Sequence, residues 1–174
     1  MQIPADAITL PFAPSRLLLS LDRKLEQYYD EKHETFWFRF HPGKKVEGPP
    51  HHVHGGFLAT LMDEAMGSVA WLNGFTVVTH RLHMEYRKPV PLKKRHTVRS
   101  TVAEKQKRRI ITESSLFDDE GNVLTGARGE FFIIDFARLG DIPDEYRVFH
   151  DFHELRRQGK GVGAAFAALQ PEKG

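Results

Sequence analysis

The feature that most constrains the fold is the long apolar run from Gly55 to Leu72, which ends at Asn73-Gly74. The run is too long for an ordinary buried strand, and its bulky side chains recur around most of the circumference of a helix. A helix that is apolar on nearly every side must be enclosed by other elements. The run therefore predicts a central buried helix around which the rest of the fold is built.

One narrow stripe of this predicted helix carries small and polar residues. At about 100° per residue, Gly56, Thr60, Asp63 and Gly67 fall within roughly 60° of one another. A buried carboxylate without a partner is costly, so Asp63 needs either a hydrogen-bonded neighbour or a chemical role. The plain alternative is an aspartate bonded to local backbone or to Thr60. In either case the stripe predicts that a ligand or another backbone approaches closely.

The segments on both sides of the helix have β character. Alternation along FTVVTHRLHMEYRK puts Leu82, Met84 and Tyr86 on one side of a strand, and prolines follow it. Strands are predicted over residues 33–40, 75–88, 96–105, 109–117 and 123–135. The predicted class is α+β, with one antiparallel sheet wrapped around one long helix.

The two ends of the chain are expected to lie outside this unit. Ser15 would cap a helix over residues 16–30, so residues 1–32 are predicted to form an N-terminal helical extension. Residues 33–137 form the sheet-and-helix domain. Residues 138–174 are predicted to hold a helix at 142–157 followed by a loose tail.

Composition excludes several classes of protein. Without cysteine there are no disulfides, thiolate metal sites or thiol nucleophiles. A net charge of +2 falls short of a nucleic-acid-binding signature. The longest apolar run near the N-terminus, at residues 17–19, is too short for a signal sequence or a membrane span, so a cytoplasmic location without membrane contact is expected. His52 and His54 lack a third ligand at a diagnostic spacing, so no metal is expected.

The start of the central helix suits an oxyanion. Its free N–H groups carry partial positive charge, and Gly55 and Gly56 let a ligand approach them. Gly56 and Asp63 are seven residues apart, which is about 10 Å along the axis. A hydrogen-bond donor and an attacking group must both lie about 3 Å from one reacting carbonyl. One helix cannot place both there, but two antiparallel copies can. A catalytic stripe therefore predicts a homodimer with two shared sites.

The stretch HHVHGGFLATLMDEAMG, preceded by EGPP, resembles the signature of the hotdog-fold acyl-CoA thioesterases of the PaaI-like branch. Its core is His54-Gly55-Gly56 with an acid, Asp63, nine residues after the histidine. The later MEYRKPV is similar to the family's strand that ends in an aromatic residue and a proline. The resemblance covers roughly residues 33–137. It implies a hotdog fold, a homodimer that can pair further into a tetramer, and hydrolysis of acyl-CoA with no cofactor beyond the CoA of the substrate.

The resemblance also implies roles for individual residues. By position, the Gly56 N–H would polarise the thioester carbonyl, and Asp63 would act as general base or as nucleophile. Thr79, sixteen residues after the acid, matches a hydroxyl that holds the water in some members; the alternative is an ordinary strand threonine. His54 would orient the glycine turn or act in the site directly. Gly48 stands where many members have Asn or Gln, so no side-chain water clamp is expected there.

Further residues are predicted to bind substrate rather than react. Gly55 and Thr60 would line the carbonyl site. Arg87 and Lys88 leave the strand nearest the motif and would hold the CoA phosphates. The alternative for these two cations is a solvated surface.

Two other functions remain open at the level of sequence. A hotdog domain can bind acyl-CoA without turning it over, since fold does not fix chemistry. A hotdog hydratase or dehydratase would need a histidine paired with an acid on the helix, and His54 precedes the helix. A serine hydrolase is excluded because the G-x-S-x-G motif is missing.

Overall fold

A computed structural model describes residues 2–10, 16–21, 25–135 and 144–169. Within these residues, seven antiparallel strands form one sheet in the order β1-β2-β3-β5-β6-β7-β4. A long helix, α2, packs against strands β3 to β7. The elements are β1 (Ile8–Thr9), α1 (Arg16–Leu21), β2 (Glu26–Asp30), β3 (Thr35–Phe40), a 3₁₀ turn (Lys44–Val46), α2 (Gly55–Leu72), β4 (Val77–Tyr86), β5 (His96–Lys105), β6 (Arg109–Phe117), β7 (Val123–Ile133), α3 (Asp144–Arg157) and α4 (Val162–Leu169). The predicted α+β class, a sheet around a central helix, is confirmed.

Helix α2 has the bounds that its apolar pattern predicts. Its large side chains are buried: Phe57, Leu58, Leu61, Met62, Met66, Val69 and Leu72. The helix ends at Leu72 and is capped by Asn73, and Gly74 follows with a left-handed φ of 87°, a conformation that glycine adopts without steric cost. The Gly74 N–H donates to Trp71 O and closes the last turn. The buried side chains around most of its circumference fix α2 in place and leave its polar stripe as the accessible face.

The inner face of the sheet is shaped to receive α2. Gly129 on β7 lies under the helix, where an added Cβ would come within 3.2 Å of the Met66 side chain. Ser114 on β6 donates its hydroxyl hydrogen to the sulfur of Met62 at 3.6 Å. Small residues on the sheet therefore let the methionines of α2 pack closely.

Strand β4 forms an edge of the sheet, and its inner face carries Leu82 and Met84 against the core, as the alternation predicts. Its pairing with β7 is interrupted by a bulge between Thr79 and Arg81, so His80 has no partner residue on β7. A bulge of this kind bends a strand and re-aims its side chains.

The prediction of a helix over residues 16–30 is wrong in its second half. Helix α1 ends at Leu21, and Glu26–Asp30 is strand β2, which pairs with β3 and receives β1 on its other side. Gln27 and Tyr29 alternate as buried residues, a period-2 pattern that the leucine spacing concealed. The segment expected as a separate helical extension therefore contributes two strands to the sheet.

The C-terminal segment is also more ordered than predicted. Helix α3 agrees with the prediction within the described residues, while 138–143 and 170–174 lie outside them. The expected loose tail contains helix α4, which buries Val162, Ala165 and Phe166. Phe152 of α3 stacks between Phe166 and Trp71, with ring centroids 4.5 and 4.4 Å away. Helix α3 therefore packs against the C-terminal end of α2, and α4 packs against α3.

Candidate active site

Asp63 lies half-buried on the polar stripe of α2 and accepts a hydrogen bond from Thr79. The Thr79 hydroxyl donates to Asp63 Oδ1 at 2.9 Å. Burial raises the pKa of the Asp63 carboxyl, and the bond from Thr79 opposes that rise. Thr79 is the residue just before the β4 bulge, so the bulge sets where this hydroxyl points. The structure thus brings together Asp63 and Thr79, to both of which the family resemblance gave roles.

The start of α2 is capped by His54. Its Nδ1 accepts the Gly56 N–H at 2.9 Å, and its carbonyl oxygen accepts the Leu58 N–H at 3.1 Å. The Gly56 N–H, predicted to hold the carbonyl, is therefore already engaged within the helix start. Within the described ranges, no group accepts from the Gly55 N–H. Of the two glycines, Gly55 therefore has the free N–H donor at this helix end.

The loop before the helix holds His54 rigidly. The His54 N–H donates to Val46 O at 2.8 Å, and the Gly48 N–H donates to His52 O at 3.0 Å. A Cβ on Gly48 would lie 2.8 Å from the Cα of His54, so a side chain there would displace the capping residue. The absence of Asn or Gln at this position thus follows from the close approach of two backbone segments.

The same loop is tied at its far end. The Glu47 carboxylate accepts the His51 N–H at 2.8 Å and pairs with Lys44. The Val53 N–H donates to Val90 O, which joins the loop to the segment after β4. These bonds fix the entry of the chain into α2 before any ligand arrives.

Thr60 and Tyr86 lie on either side of the first turn. The Thr60 hydroxyl donates to Gly56 O at 3.0 Å, so it stabilises the turn. The Tyr86 hydroxyl donates to Gly55 O at 3.0 Å, and the ring lies about 3.6 Å from where a Gly55 Cβ would be. Sequence reasoning placed Tyr86 on the inner face of β4 with Leu82 and Met84 but assigned it no role.

Arg87 and Lys88, the two cations predicted to bind the CoA phosphates, differ in whether their charge is already paired. Arg87 donates from Nε and Nη2 to Glu85 Oε2 at 3.1 and 2.7 Å. Lys88 is exposed and forms no ion pair with any described residue. Lys88 is thus the better placed of the two to meet an incoming anion.

The histidines near the motif do not assemble into a metal site. Among the described residues, no group of three His, Asp or Glu side chains is arranged to hold a metal ion. The His52 ring lies 2.9 Å from Pro50 O, and His54 is used as the cap. None of the helices in the described part of the chain is long and apolar enough to cross a membrane.

Comparison with known proteins agrees with this arrangement. A family model described as the thioesterase superfamily matches residues 51–125, which run from the loop before α2 to the start of β7. The acyl-coenzyme A thioesterase THEM4 of Xenopus laevis is 28% identical over 106 residues, covering 61% of this chain and 48% of that protein. The chain spans about half the length, or less, of the curated relatives it matches.

Solved structures share the fold. The BH2602 protein of Bacillus halodurans, determined with CoA, is 30% identical, with a TM-score of 0.60 over 70% of this chain and 80% of that one. The Escherichia coli PaaI protein has a TM-score of 0.56 at 16% identity, over 59% of this chain and 75% of its own. Sequence match, sheet topology and central helix agree, and they confirm the resemblance drawn from the His-Gly-Gly motif. The chain belongs to the thioesterase superfamily of hotdog-fold proteins.

Proposed function

We propose that this protein hydrolyses acyl-CoA thioesters to the free acid and CoA. The observation that carries the proposal is the Asp63 carboxylate, which lies half-buried on the polar stripe of a buried helix and accepts a hydrogen bond from Thr79. Its raised pKa suits a group that takes up a proton during catalysis. Curated relatives named acyl-CoA thioesterases support the choice of substrate.

In the proposed reaction, the Gly55 N–H and the helix dipole bind the thioester oxygen. Gly55 replaces Gly56 in this role because the Gly56 N–H already donates to His54. Negative charge develops on that oxygen as the carbonyl carbon becomes tetrahedral, and a fixed donor stabilises it. Collapse of the intermediate breaks the carbon–sulfur bond and releases the CoA thiolate.

Asp63 can supply the attacking oxygen in two ways. As a general base it takes a proton from water, whose oxygen then bonds to the thioester carbon. As a nucleophile it forms an anhydride that water later hydrolyses. Single turnover in oxygen-18 water separates the two, because only the anhydride route leaves the label in the Asp63 carboxylate.

The proposed site is shared by two chains. Gly55 and Asp63 of one chain are eight residues apart on the same helix, about 12 Å along the axis, so they cannot reach one carbonyl together. The polar stripe of α2 and the edge strand β4 both lie open in the single chain. A homodimer with antiparallel α2 helices would bring the Gly55 of one copy to the Asp63 of the other. The expected location remains the cytoplasm.

Replacing Asp63 by asparagine tests the proposal. Thr79 can still donate to the amide oxygen, so the local geometry is kept. We expect kcat to fall at least about 10²-fold while CoA binding and dimerisation persist. Glu64→Gln is the matched control, since Glu64 is adjacent on α2 but about 100° off the polar stripe. A panel of short, long and aromatic acyl-CoAs, followed by release of free thiol, provides the assay.

The same variant separates lost chemistry from lost folding. Because burial raises the pKa of Asp63, the folded chain binds its proton more tightly than the unfolded chain. The ionised carboxylate therefore costs stability, which falls as pH rises through the titration of Asp63. Asp63→Asn should melt at a slightly higher temperature than wild type at pH 7. Turnover near the wild-type rate in this stable variant would end the catalytic assignment. Binding of acyl-CoA without turnover by the wild type would identify a binding module.

A further inference from the structure

Tyr86 makes a specific contact with the start of α2 that the proposed reaction does not yet use. It ends strand β4, and its side chain is 53% exposed, although its hydroxyl reaches a backbone oxygen at 3.0 Å. The accepting oxygen belongs to Gly55, whose own N–H is the donor proposed to bind the thioester oxygen. Strand β4 thus contacts both chemical groups of the helix, through Thr79 at Asp63 and through Tyr86 at Gly55.

The bond from Tyr86 extends into a chain of hydrogen bonds. Gly55 C=O and Gly56 N–H belong to the same peptide unit, so a donor to the oxygen polarises the N–H. That N–H donates to His54 Nδ1 at 2.9 Å. Bonds linked in this way strengthen one another. The Tyr86 hydroxyl, one peptide unit and the His54 ring therefore form one continuous path.

The bond from the Gly56 N–H to Nδ1 sets the tautomer of the His54 ring. A ring nitrogen that accepts a hydrogen bond carries no proton, so the proton of the neutral ring lies on Nε2. His54 is exposed, so its Nε2–H is a donor at the same helix end as the free Gly55 N–H. Glycine is the least restrained residue in a first helical turn, and two of them follow His54. A tether on Gly55 O limits that freedom.

We infer that Tyr86 is a positioning residue, which acts through the Gly55–Gly56 peptide to hold the carbonyl-binding turn and to keep His54 as the Nε2–H tautomer. The inference rests on the proposed thioesterase function for its catalytic consequence. Its structural consequence, the tautomer of His54, is measurable without any substrate.

The test is Tyr86→Phe, which keeps the ring packed on Gly55 and removes only the hydroxyl. Losing one ordinary hydrogen bond predicts a fall in kcat of about 2- to 10-fold, with KM changed less than about twofold. Nitrogen-15 spectra of labelled histidine should show His54 as the Nε2–H tautomer in the wild type and as a tautomer mixture in the variant. Tyr28→Phe is the control, because the Tyr28 hydroxyl donates to Glu26 on strand β2, away from the helix start.

The two readouts keep this inference distinct from the proposed function. Unchanged His54 spectra, or an unchanged kcat in a turning-over enzyme, would overturn the role of Tyr86 and leave Asp63 unaffected. Wild-type turnover by Asp63→Asn would overturn the proposed function, while an altered His54 spectrum in Tyr86→Phe would still support the hydrogen-bond chain. Equal losses of kcat in Tyr86→Phe and Tyr28→Phe would count against a role specific to Tyr86.

Discussion

Replacing Gly55 by proline removes the proposed oxyanion donor with little cost to the fold. Gly55 is the first residue of α2, the helical position at which proline is favoured because its missing N–H has no partner within the helix. The preceding residue, His54, has φ −65° and ψ 133°, the extended conformation that a residue before proline adopts. Proline also keeps the carbonyl that accepts from Tyr86.

Gly55→Ala is the matched control. Alanine adds a Cβ as proline does but keeps the N–H. That Cβ would lie 3.6 Å from the Tyr86 ring, an ordinary contact, so the fold should accept it. Any loss caused by a Cβ that crowds the substrate appears in both variants, and the difference between them reports the replacement of the N–H by the proline Cδ.

The expected difference is large because the donor acts on developing charge. Removing one oxyanion-hole donor typically lowers kcat by about 10²- to 10³-fold, or about 3–4 kcal/mol of transition-state stabilisation. Steady-state thiol release by Gly55→Pro and Gly55→Ala, with thermal melts of both, measures it. If the two folded variants turn over within about threefold of each other, the Gly55 N–H does not stabilise the oxyanion.

Three further predictions address neighbouring parts of the structure. Thr79→Val removes the hydrogen bond that stabilises the Asp63 carboxylate, so the pKa of that carboxyl rises and the acid limb of the kcat/KM profile should move to higher pH. We also expect kcat to fall about fivefold, because a charge-assisted hydrogen bond at a partly exposed site contributes about 1 kcal/mol. An unmoved acid limb would contradict that coupling. Lys88→Gln should raise KM for acyl-CoA but leave KM unchanged for a thioester that lacks the nucleotide, and the rise should exceed that caused by Arg87→Gln. Equal rises in KM for the two variants would argue against Lys88 as the phosphate ligand. Phe152→Ala should lower the free energy of unfolding by about 3–5 kcal/mol, because the ring is fully buried between two aromatic rings. Denaturant titration measures this change, and a loss below about 1 kcal/mol would contradict the packing of α3.

The central part of the fold could be predicted from the sequence because its signals are local. Helix α2 and strands β5 and β6 have the predicted bounds, since unbroken helical or alternating patterns end at clear turn residues. Strand β2 was not predicted, although it forms a short hairpin with β3, because the leucine spacing before it extended the helical pattern through residues 26–30. Helix α4 was missed because the glycines before it suggested a tail, while its burial depends on aromatic rings elsewhere in the chain.

Some features of the candidate site could likewise be predicted from the sequence, and others could not. The family resemblance gave roles to Asp63 and Thr79, and the structure brings the two side chains together. Which glycine N–H is free could not be predicted, because that depends on the direction in which the His54 ring turns. Tyr86 gave no signal beyond its inner-face position, since its bond to Gly55 joins residues that only the packing of β4 on α2 brings together.

A mixed dimer tests the shared site most directly. One chain carries Asp63→Asn and the other carries Gly55→Pro, so each homodimer is inactive. In the mixed dimer, one site combines the intact Gly55 of the first chain with the intact Asp63 of the second, and the other site carries both defects. The account predicts that an equal, randomised mixture of the two chains regains about a quarter of wild-type turnover. Turnover no higher than that of the parent variants, with mixed dimers shown to be present, would contradict a site built from two chains.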